Sequence, residues 1–345
     1  MSTILDVIEN KDLNLEATEV YAVILGESPS KGARSPLLWN PAFEKLDISG
    51  YMHPMDVVGD KLETVVQCLK NDRRFIGGAV TMPYKIDIIP FLDALEPEAE
   101  TIGAVNCIYR QDGKIIGANT DGAGALWSLQ DEIEGSLDGK TVLLLGTGGA
   151  GIAVATYMAS ALGSKGKLLI ANRTSAPRSK IIERLKGKCQ IESVESWPVS
   201  SECPKQVDIV VNCTSIGFQS LRKDDKGIYS LKLYTPLGVV DGGIRVEDCP
   251  DAEARYMNTA SAAISDNFRG TLSSLFSMNR PFVFDIIYQP GQTLLLSLAG
   301  LLGCQTLNGL PMNLEQAVIA FVKVTKSAEL FHGKTEDVRL IMCSN

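Results

Sequence analysis

The stretch from Lys140 to Leu162 constrains the fold of this chain more than any other. It reads KTVLLL, then GTGGAG, then an apolar run, which is the order strand, glycine-rich turn and helix. The glycines fit the pattern G-x-G-x-x-G, in which they permit a tight turn, a close approach to a pyrophosphate and close helix–strand packing. The helix N-terminus also favours an anion. The stretch therefore predicts a Rossmann-type domain, with cofactor contacts at Gly146, Gly148, Gly149, Ala150 and Gly151.

The end of the next predicted strand indicates which dinucleotide is bound. An Asp or Glu about 20 residues after the glycines would bind the ribose 2′-OH of NAD. This chain instead has Asn172, Arg173 and Thr174 there, with Arg178 shortly after. A guanidinium and a hydroxyl suit a 2′-phosphate. We therefore predict that these four residues bind NADP, with NAD as the alternative.

Predicted strands and helices alternate along the chain, which favours an α/β fold. A length of 345 residues favours two domains. Strands are predicted at 21–26 and 75–80, and a helix near Tyr84 after a Thr-Met-Pro turn. A later strand is predicted at 238–241. The segment 248–280 is polar and rich in small residues, and its pattern predicts no particular element; the role of the long tract 242–280 is open.

Composition excludes several classes of function. The formal net charge is −8 and there is no long Lys/Arg run, which disfavours nucleic acid and anionic membrane as partners. The most apolar run, Leu294–Leu302, is too short to span a bilayer. The N-terminus lacks the features of a signal peptide, so a cytoplasmic protein is expected. Eight cysteines without a CxxC pair and two histidines predict no metal site.

The stretch 75–121 is predicted to carry the chemistry. It places Lys85, Asn106 and Asp121 among small and apolar residues. Hydride transfer to or from a carbonyl requires a group that gives or takes a proton. The Tyr-x-x-x-Lys pair of short-chain dehydrogenases is absent, because no Tyr has Lys four positions on. Lys85 held near Asp121 is the remaining candidate pair, although a lysine at a helix start is more often a surface residue.

Several motifs together resemble those of the shikimate dehydrogenases and the related quinate dehydrogenases. They are GAVTMPYK, IGAVN, GANTDGAG, GTGGAG with NRT, NCTSIGF, DIIYQPGQTLLL and GLPMNLEQA, and the similarity runs over 21–326. The resemblance implies a substrate domain at 1–121 completed by C-terminal helices at 309–345, and a Rossmann domain at 122–308. It implies interconversion of shikimate and 3-dehydroshikimate, or of quinate and 3-dehydroquinate. Partners beyond this small-molecule substrate are not implied, and a monomer and a homodimer are both open.

The resemblance also implies roles for individual residues. Lys85 would move the proton of the reacting hydroxyl, and Asp121 would orient Lys85. The predicted substrate contacts are Ser35 for the carboxylate, Thr81 and Asn106 for the hydroxyls, and Tyr288 and Gln316 as residues that close over the ring.

The chain departs from the usual pattern at two positions. Ala33 stands where the family usually has a serine, in a loop that is one residue longer, and Ala79 stands where an Asn is usual. Ser28 or Ser30 is a candidate replacement for that serine. These changes leave open quinate or another polyol carboxylate as the substrate. A non-catalytic ligand sensor on the same scaffold, or a dehydrogenase of similar shape for a one-carbon folate, are further alternatives.

Overall fold

The computed structural model describes residues 4–197, 199, 204–217, 221–223, 228–231, 234–238, 246–247, 249–289 and 291–344. The chain divides into two compact units, the first formed by Met1–Gly124 with Met312–Asn345 and the second by Ala125–Pro311. The strands in chain order are β1 (Val20–Gly26), β2 (Gly50–Asp56), β3 (Phe75–Val80), β4 (Ala94–Leu95), β5 (Cys107–Gln111), β6 (Lys114–Ala118), β7 (Thr141–Leu145), β8 (Lys167–Ala171), β9 (Gln190–Val194), β10 (Ile209–Asn212), β11 (Leu221–Lys223), β12 (Ile228–Leu231), β13 (Val246–Glu247), β14 (Phe282–Asp285) and β15 (Thr306–Leu307). The helices are α1 (Ser35–Lys45), α2 (Leu62–Asn71), α3 (Pro97–Ile102), α4 (Asp121–Glu132), α5 (Gly149–Leu162), α6 (Ser175–Leu185), α7 (Ala252–Ser277), α8 (Leu294–Leu301), α9 (Leu310–Ser327) and α10 (Thr335–Cys343).

The first unit is built on a mixed sheet with the strand order β2-β1-β3-β5-β6-β4. Because side chains alternate across a strand, β1 supplies both faces of the core. Val23 and Leu25 pack in the cluster that contains α2 residues, whereas Ile24 packs in the cluster with Trp39 of α1 and Phe321 of α9. The antiparallel hairpin of β5 and β6 turns at Asp112-Gly113 and leads directly into α4. The sheet thus brings β3, β5 and the start of α4 close together.

The second unit contains a parallel sheet with the order β15-β14-β10-β7-β8-β9. β10 and β14 are buried at every residue, and β7 at every residue except its first, as expected for strands covered on both faces. From β7 the chain proceeds through β8 to β9 on one side and then returns to β10 on the other. A change of direction of this kind opens a crevice at the carboxyl ends of the strands. The predicted α/β class, with a substrate-type unit and a Rossmann-like unit, is confirmed.

A small antiparallel sheet, β11-β12-β13, and the long helix α7 lie between β10 and β14 in the chain. Sequence patterning had given no element for the tract that α7 occupies. The buried residues of α7 recur at intervals of about one turn, but many are small or polar: Ala252, Tyr256, Ala260, Asn267, Thr271, Ser274 and Leu275. A helical period built from such residues leaves little hydrophobic signal. The predicted strand at 238–241 lies largely outside the described residues.

The helix predicted near Tyr84 is wrong. Residues 82–88 form successive turns that end in a short 3-10 segment, Ile89–Phe91. The Tyr84 amide N–H donates to the carbonyl of Thr81, and its hydroxyl donates to the carbonyl of Val57, 2.6 Å away. These bonds hold the turn against the sheet. Within the described ranges, no helix is long and apolar enough to cross a membrane.

Candidate active site

The Lys85 side chain binds Asp121 directly. Its ammonium Nζ lies 2.7 Å from Oδ2 of Asp121. Lys85 is on the turn after β3, and Asp121 is the first residue of α4. The carboxylate is 8% exposed as a residue, whereas the lysine is about one-third exposed along its side chain. A half-buried ammonium beside a buried carboxylate is held in one place and still accessible to a small molecule.

A buried amide completes the surroundings of Asp121. The Asn106 Nδ2 group, on the residue that precedes β5, donates to Oδ1 of Asp121 at 2.8 Å. The side-chain Oδ1 of Asn106 accepts the backbone N–H of Thr120 at 2.7 Å. The Asp121 N–H is bonded to the side chain of Asn119 at 3.1 Å. These hydrogen bonds set the orientation of the carboxylate.

The C-terminal helix α9 brings Gln316 to the same group. The Gln316 carbonyl Oε1 accepts from Nδ2 of Asn106 at 3.3 Å, and the backbone carbonyl of Gln316 accepts the hydroxyl of Thr120 at 3.0 Å. Gly124 allows α9 to approach, because a Cβ at position 124 would lie 2.8 Å from the Gln316 nitrogen. The neighbouring thiol of Cys107 is excluded as an acid or base, because complete burial raises its pKa to about 12.

The predicted carboxylate-binding loop is only partly available for a ligand. Ser30 is occupied within the protein, because its backbone N–H and its hydroxyl both donate to the carboxylate of Asp56. Ser35 begins α1 and is partly exposed. Beside it, Arg34 donates from Nη1 to Oδ1 of Asn313 at 3.0 Å, and the carbonyl of Asn313 accepts from Gln316. Hydrogen bonds through Asn313 and Gln316 thus connect the Arg34 guanidinium to Asn106. The bonds to Asp56 disfavour Ser30 as the replacement serine that the sequence left open.

Thr81 lies at the end of β3, where its N–H donates to the carbonyl of Leu25 at 2.8 Å. Its side chain is partly exposed. The structure therefore brings Lys85, Asn106, Asp121 and Gln316 into one network in the first unit, with Thr81 on the same turn as Lys85. Tyr288 belongs to the second unit, where it is partly exposed after β14.

A cavity of about 340 Å³ lies at the carboxyl ends of the parallel strands of the second unit. Its walls come from the segments that follow β7, β8, β9 and β10: Gly146, Thr147, Gly148, Asn172, Arg173, Trp197, Cys213, Thr214, Ser215 and Ile216. A Cβ at Gly151 would collide with the carbonyl oxygen of Gly146, so this glycine permits the close helix–strand approach. Cβ atoms at Gly148 and Gly149 would meet only open space, which leaves the backbone accessible to a ligand.

Two observations fit this cavity to a dinucleotide. Helix α5 begins at Gly149. The first amide groups of a helix have no intrahelical partners, so they can bind a phosphate. The Thr147 hydroxyl is buried and has no hydrogen-bond partner among the described residues. Asn172 joins two walls, because its Oδ1 accepts the Thr147 N–H at 3.1 Å and its Nδ2 donates to Thr174. The exposed Arg173 lines the cavity.

Arg178 has a different environment from the other predicted cofactor ligands. It is buried, and its guanidinium donates to the carbonyl of Val194 at 2.9 Å and forms an ion pair with Glu195. Its donors are therefore engaged within the protein, which disfavours the predicted contact with a phosphate. Instead, it fastens α6 to the end of β9.

Sequence reasoning missed four further polar or aromatic residues around these sites. Asn119 and Thr120 belong to the GANTD motif, and Asp285 belongs to DIIYQP, so their motifs were visible but their contacts were not. Trp197 carried no recognisable motif. Among the residues that the structure describes, no group of three or more His, Cys, Asp or Glu side chains could hold a metal ion.

A parallel sheet with this glycine-rich turn and strand order defines the class of Rossmann-type dinucleotide-binding domains. The family models agree and are more specific. The model described as the shikimate dehydrogenase substrate binding domain matches residues 25–108, and the model described as shikimate / quinate 5-dehydrogenase matches residues 128–228.

Individual relatives match over most of their length. A protein named shikimate dehydrogenase (NADP(+)) from Carboxydothermus hydrogenoformans is 32% identical over 297 residues, which are 86% of this chain and 89% of the relative. The chain belongs to the shikimate dehydrogenase family. A structure of shikimate 5-dehydrogenase from Listeria monocytogenes, in complex with shikimate and NAD, is 26% identical in sequence and superposes with a TM-score of 0.69. The match covers 97% of this chain and 99% of the Listeria chain. A 5-ketofructose reductase from a Gluconobacter species is 25% identical with a TM-score of 0.69 and covers 94% of this chain and 98% of its own.

Proposed function

We propose that this chain is an NADP-dependent dehydrogenase that interconverts a ring alcohol and ketone of shikimate. The observation that carries this proposal is the Lys85–Asp121 pair, held by Asn106 and Gln316 within one partly buried network. Membership of the shikimate dehydrogenase family supports it, and several relatives are named as NADP(+) enzymes. In this proposal the first unit holds the substrate and the second unit holds the cofactor.

Lys85 is the proposed acid–base group. In the oxidative direction, the bond between the ring carbon and its hydrogen breaks as hydride leaves, and the hydroxyl proton passes to Nζ of Lys85 in its neutral amine form, which becomes the ammonium. In the reverse direction, the ammonium returns the proton to the oxygen of the forming alcohol. Asp121 orients Lys85 through its Oδ2 and balances its charge. A positioned proton donor or acceptor of this kind is typically worth about 10²–10⁴ in rate.

Amide groups around this pair suit a polyol. Asn106 and Gln316 present both donors and acceptors, which hydroxyl groups can match. Thr81 is placed on the turn that carries Lys85, and we propose that it contacts a ring hydroxyl. For the substrate carboxylate we propose Ser35, and Tyr288 as a residue that closes over the ring.

The cavity of the second unit is proposed to hold NADP. Gly146 to Gly151 would carry the pyrophosphate at the start of α5, and Arg173 with Thr174 would bind the 2′-phosphate. When bound, NADP accepts or returns the hydride. No carboxylate stands at the end of β8 to repel a 2′-phosphate.

Quinate or another polyol is the second candidate substrate. Ala33 removes a hydroxyl from the loop before Ser35, and Ser30 is bound to Asp56. The loop therefore offers fewer hydroxyl donors than the resemblance implied. The 5-ketofructose reductase with a similar fold is named for a substrate outside the shikimate group.

Replacing Lys85 with Ala tests the proposed role of this residue. We expect kcat to fall by about 10²–10⁴, because proton transfer loses its positioned group, while the Kd for NADPH stays unchanged. Steady-state kinetics and a fluorescence titration with NADPH measure the two quantities. Lys70→Ala is the matched control. Lys70 lies on α2 and not in the candidate site, and its ammonium also pairs with an aspartate, Asp93, at 2.6 Å. If Lys85→Ala kept nearly full turnover, Lys85 would not be the proton-transfer group.

A further inference from the structure

Trp197 is the one large aromatic side chain among the described residues that line the cavity at the carboxyl ends of the parallel strands in the second unit. It lies three residues after the end of β9 at Val194 and shares this cavity of about 340 Å³ with Arg173 and the glycine-rich turn. Its side chain is partly exposed and packs on the hydrophobic core that contains Val194 and Leu169. One part of the indole is therefore anchored, and another part is available to a ligand.

The order of the strands identifies which part of a dinucleotide would reach Trp197. In a Rossmann sheet the pyrophosphate lies at the turn after the first strand, here β7, and the adenosine ribose lies at the end of the next strand, here β8. The sheet continues from β8 to β9 in the direction away from β10. The base attached to that ribose is thus directed to the end of β9, where Trp197 stands.

A hydrogen bond and an ion pair from α6 hold the segment that precedes Trp197. Arg178 on α6 donates to the carbonyl of Val194 at 2.9 Å and pairs with the carboxylate of Glu195. Glu195 also accepts a hydrogen bond from the hydroxyl of Ser193. The pair neutralises Glu195, which would otherwise add negative charge near the site proposed for the 2′-phosphate. A wall fixed in this way needs little ordering when a ligand binds.

We propose that Trp197 forms the wall on which the adenine of the cofactor stacks. The inference rests on the proposed NADP-dependent function. An indole offers a broad apolar face, and stacking of a base on an aromatic side chain is sequence-independent and substantial. Trp197 then contributes affinity for the adenosine half of the cofactor and none for the ring substrate.

The test uses the full chain and adenosine 2′,5′-bisphosphate, which contains the adenine and the 2′-phosphate but no nicotinamide. Trp197→Leu is expected to raise its Kd about ten-fold, whereas Trp197→Phe keeps a flat ring and should change it by about two-fold or less. The KM for NADP should rise about as much as this Kd. The KM for shikimate and kcat at saturating NADP should stay within about two-fold of wild type.

Tryptophan emission gives an independent readout, because the bisphosphate does not absorb the emitted light. The chain has three tryptophans, of which Trp39 is buried in the first unit. The bisphosphate should quench the emission of wild type and of Trp127→Phe, and the quenching should vanish in Trp197→Phe. Quenching that persists in Trp197→Phe, or an unchanged Kd in a folded Trp197→Leu, overturns the inference while leaving the proposed function intact. A wild-type chain that binds neither NADPH nor the bisphosphate overturns both.

Discussion

The two carboxylate oxygens of Asp121 bind different donors. Oδ2 receives the ammonium of Lys85 at 2.7 Å, and Oδ1 receives the amide of Asn106 at 2.8 Å. This division keeps the charge pair aligned without occupying all donors of the lysine, since an ammonium has three. A bound hydroxyl can therefore be contacted by Lys85 while Asp121 still holds it.

Arg173 provides the corresponding test in the second unit. Replacing it with Asp should lower the ratio of kcat/KM for NADP to that for NAD by about 10- to 100-fold. The reason is that a carboxylate repels the 2′-phosphate and accepts a hydrogen bond from the 2′-OH of NAD. Lys180→Asp on the exposed face of α6 makes the same change of charge outside the cavity and serves as the control. An equal effect of the two variants would contradict a specific contact at Arg173.

The carboxyl ends of β10 and β14 are joined by a buried aspartate. Asp285, with no exposed surface, accepts hydrogen bonds from Nδ2 of Asn212, from the hydroxyl of Thr293 and from the N–H of Ile287. Asn212 in turn binds the segment that follows β10, which lines the cavity. Burial raises the pKa of Asp285 to about 6, although these three donors oppose the shift. Asp285 thus links the loop before Tyr288 to the cofactor cavity.

Replacing Asp285 with Ala should lower the free energy of unfolding by about 1–3 kcal/mol at pH 7, because buried donors lose their acceptor. The pH dependence should change as well. A carboxyl whose folded pKa is raised holds its proton more tightly when folded, so its contribution to stability falls as pH rises from about 4 to about 6 and is constant above. This fall should be absent in the variant.

Denaturant unfolding at a series of pH values measures both effects of Asp285→Ala. Asp208→Ala is the control, because Asp208 lies exposed before the other end of β10 and accepts one bond from the Thr141 N–H. An Asp285→Ala variant with the same pH profile as wild type would contradict the assignment of the titration to this residue.

An element could be predicted from the sequence where a local pattern of residues specifies it. The turn at Gly146–Gly151 was predictable, because its glycines fix such a turn locally. Helix α7 was not, because many of its buried positions carry small or polar residues such as Asn267, which bonds the backbone of Thr235. Those contacts form only after folding, so no local pattern encodes them.

The candidate site divides in the same way. The grouping of Lys85, Asn106 and Asp121 could be predicted, because each residue stands in a recognisable sequence motif. The engagement of Arg178 by Val194 and Glu195 could not, since it depends on how α6 packs on β9. Trp197 reaches the cavity for a similar reason, namely the pairing of β9 with β8.

Considered as a whole, the chain combines a unit that contains the Lys85–Asp121 pair, proposed to transfer a proton, and a unit that contains the cavity proposed to hold NADP. Glu315 and Arg339 fasten α10 to α9, the helix that carries Gln316, through two bonds of 2.7 Å. The two C-terminal helices thereby support the site of the first unit. They are distant in sequence from the other residues of that site, since Asn106 and Gln316 are 210 residues apart. The similarity to the relatives extends over most of their length.

Initial rates with shikimate and with quinate, each with NADP and with NAD, test the central proposal most directly. We predict the highest kcat/KM for shikimate with NADP, because Arg173 favours the 2′-phosphate and the Lys85–Asp121 network suits a ring polyol. Turnover that is faster with NAD would contradict the assignment of the cofactor, and a preference for quinate would contradict the assignment of the substrate. A folded chain that turns over neither ring substrate with either cofactor would contradict the proposed function as a whole.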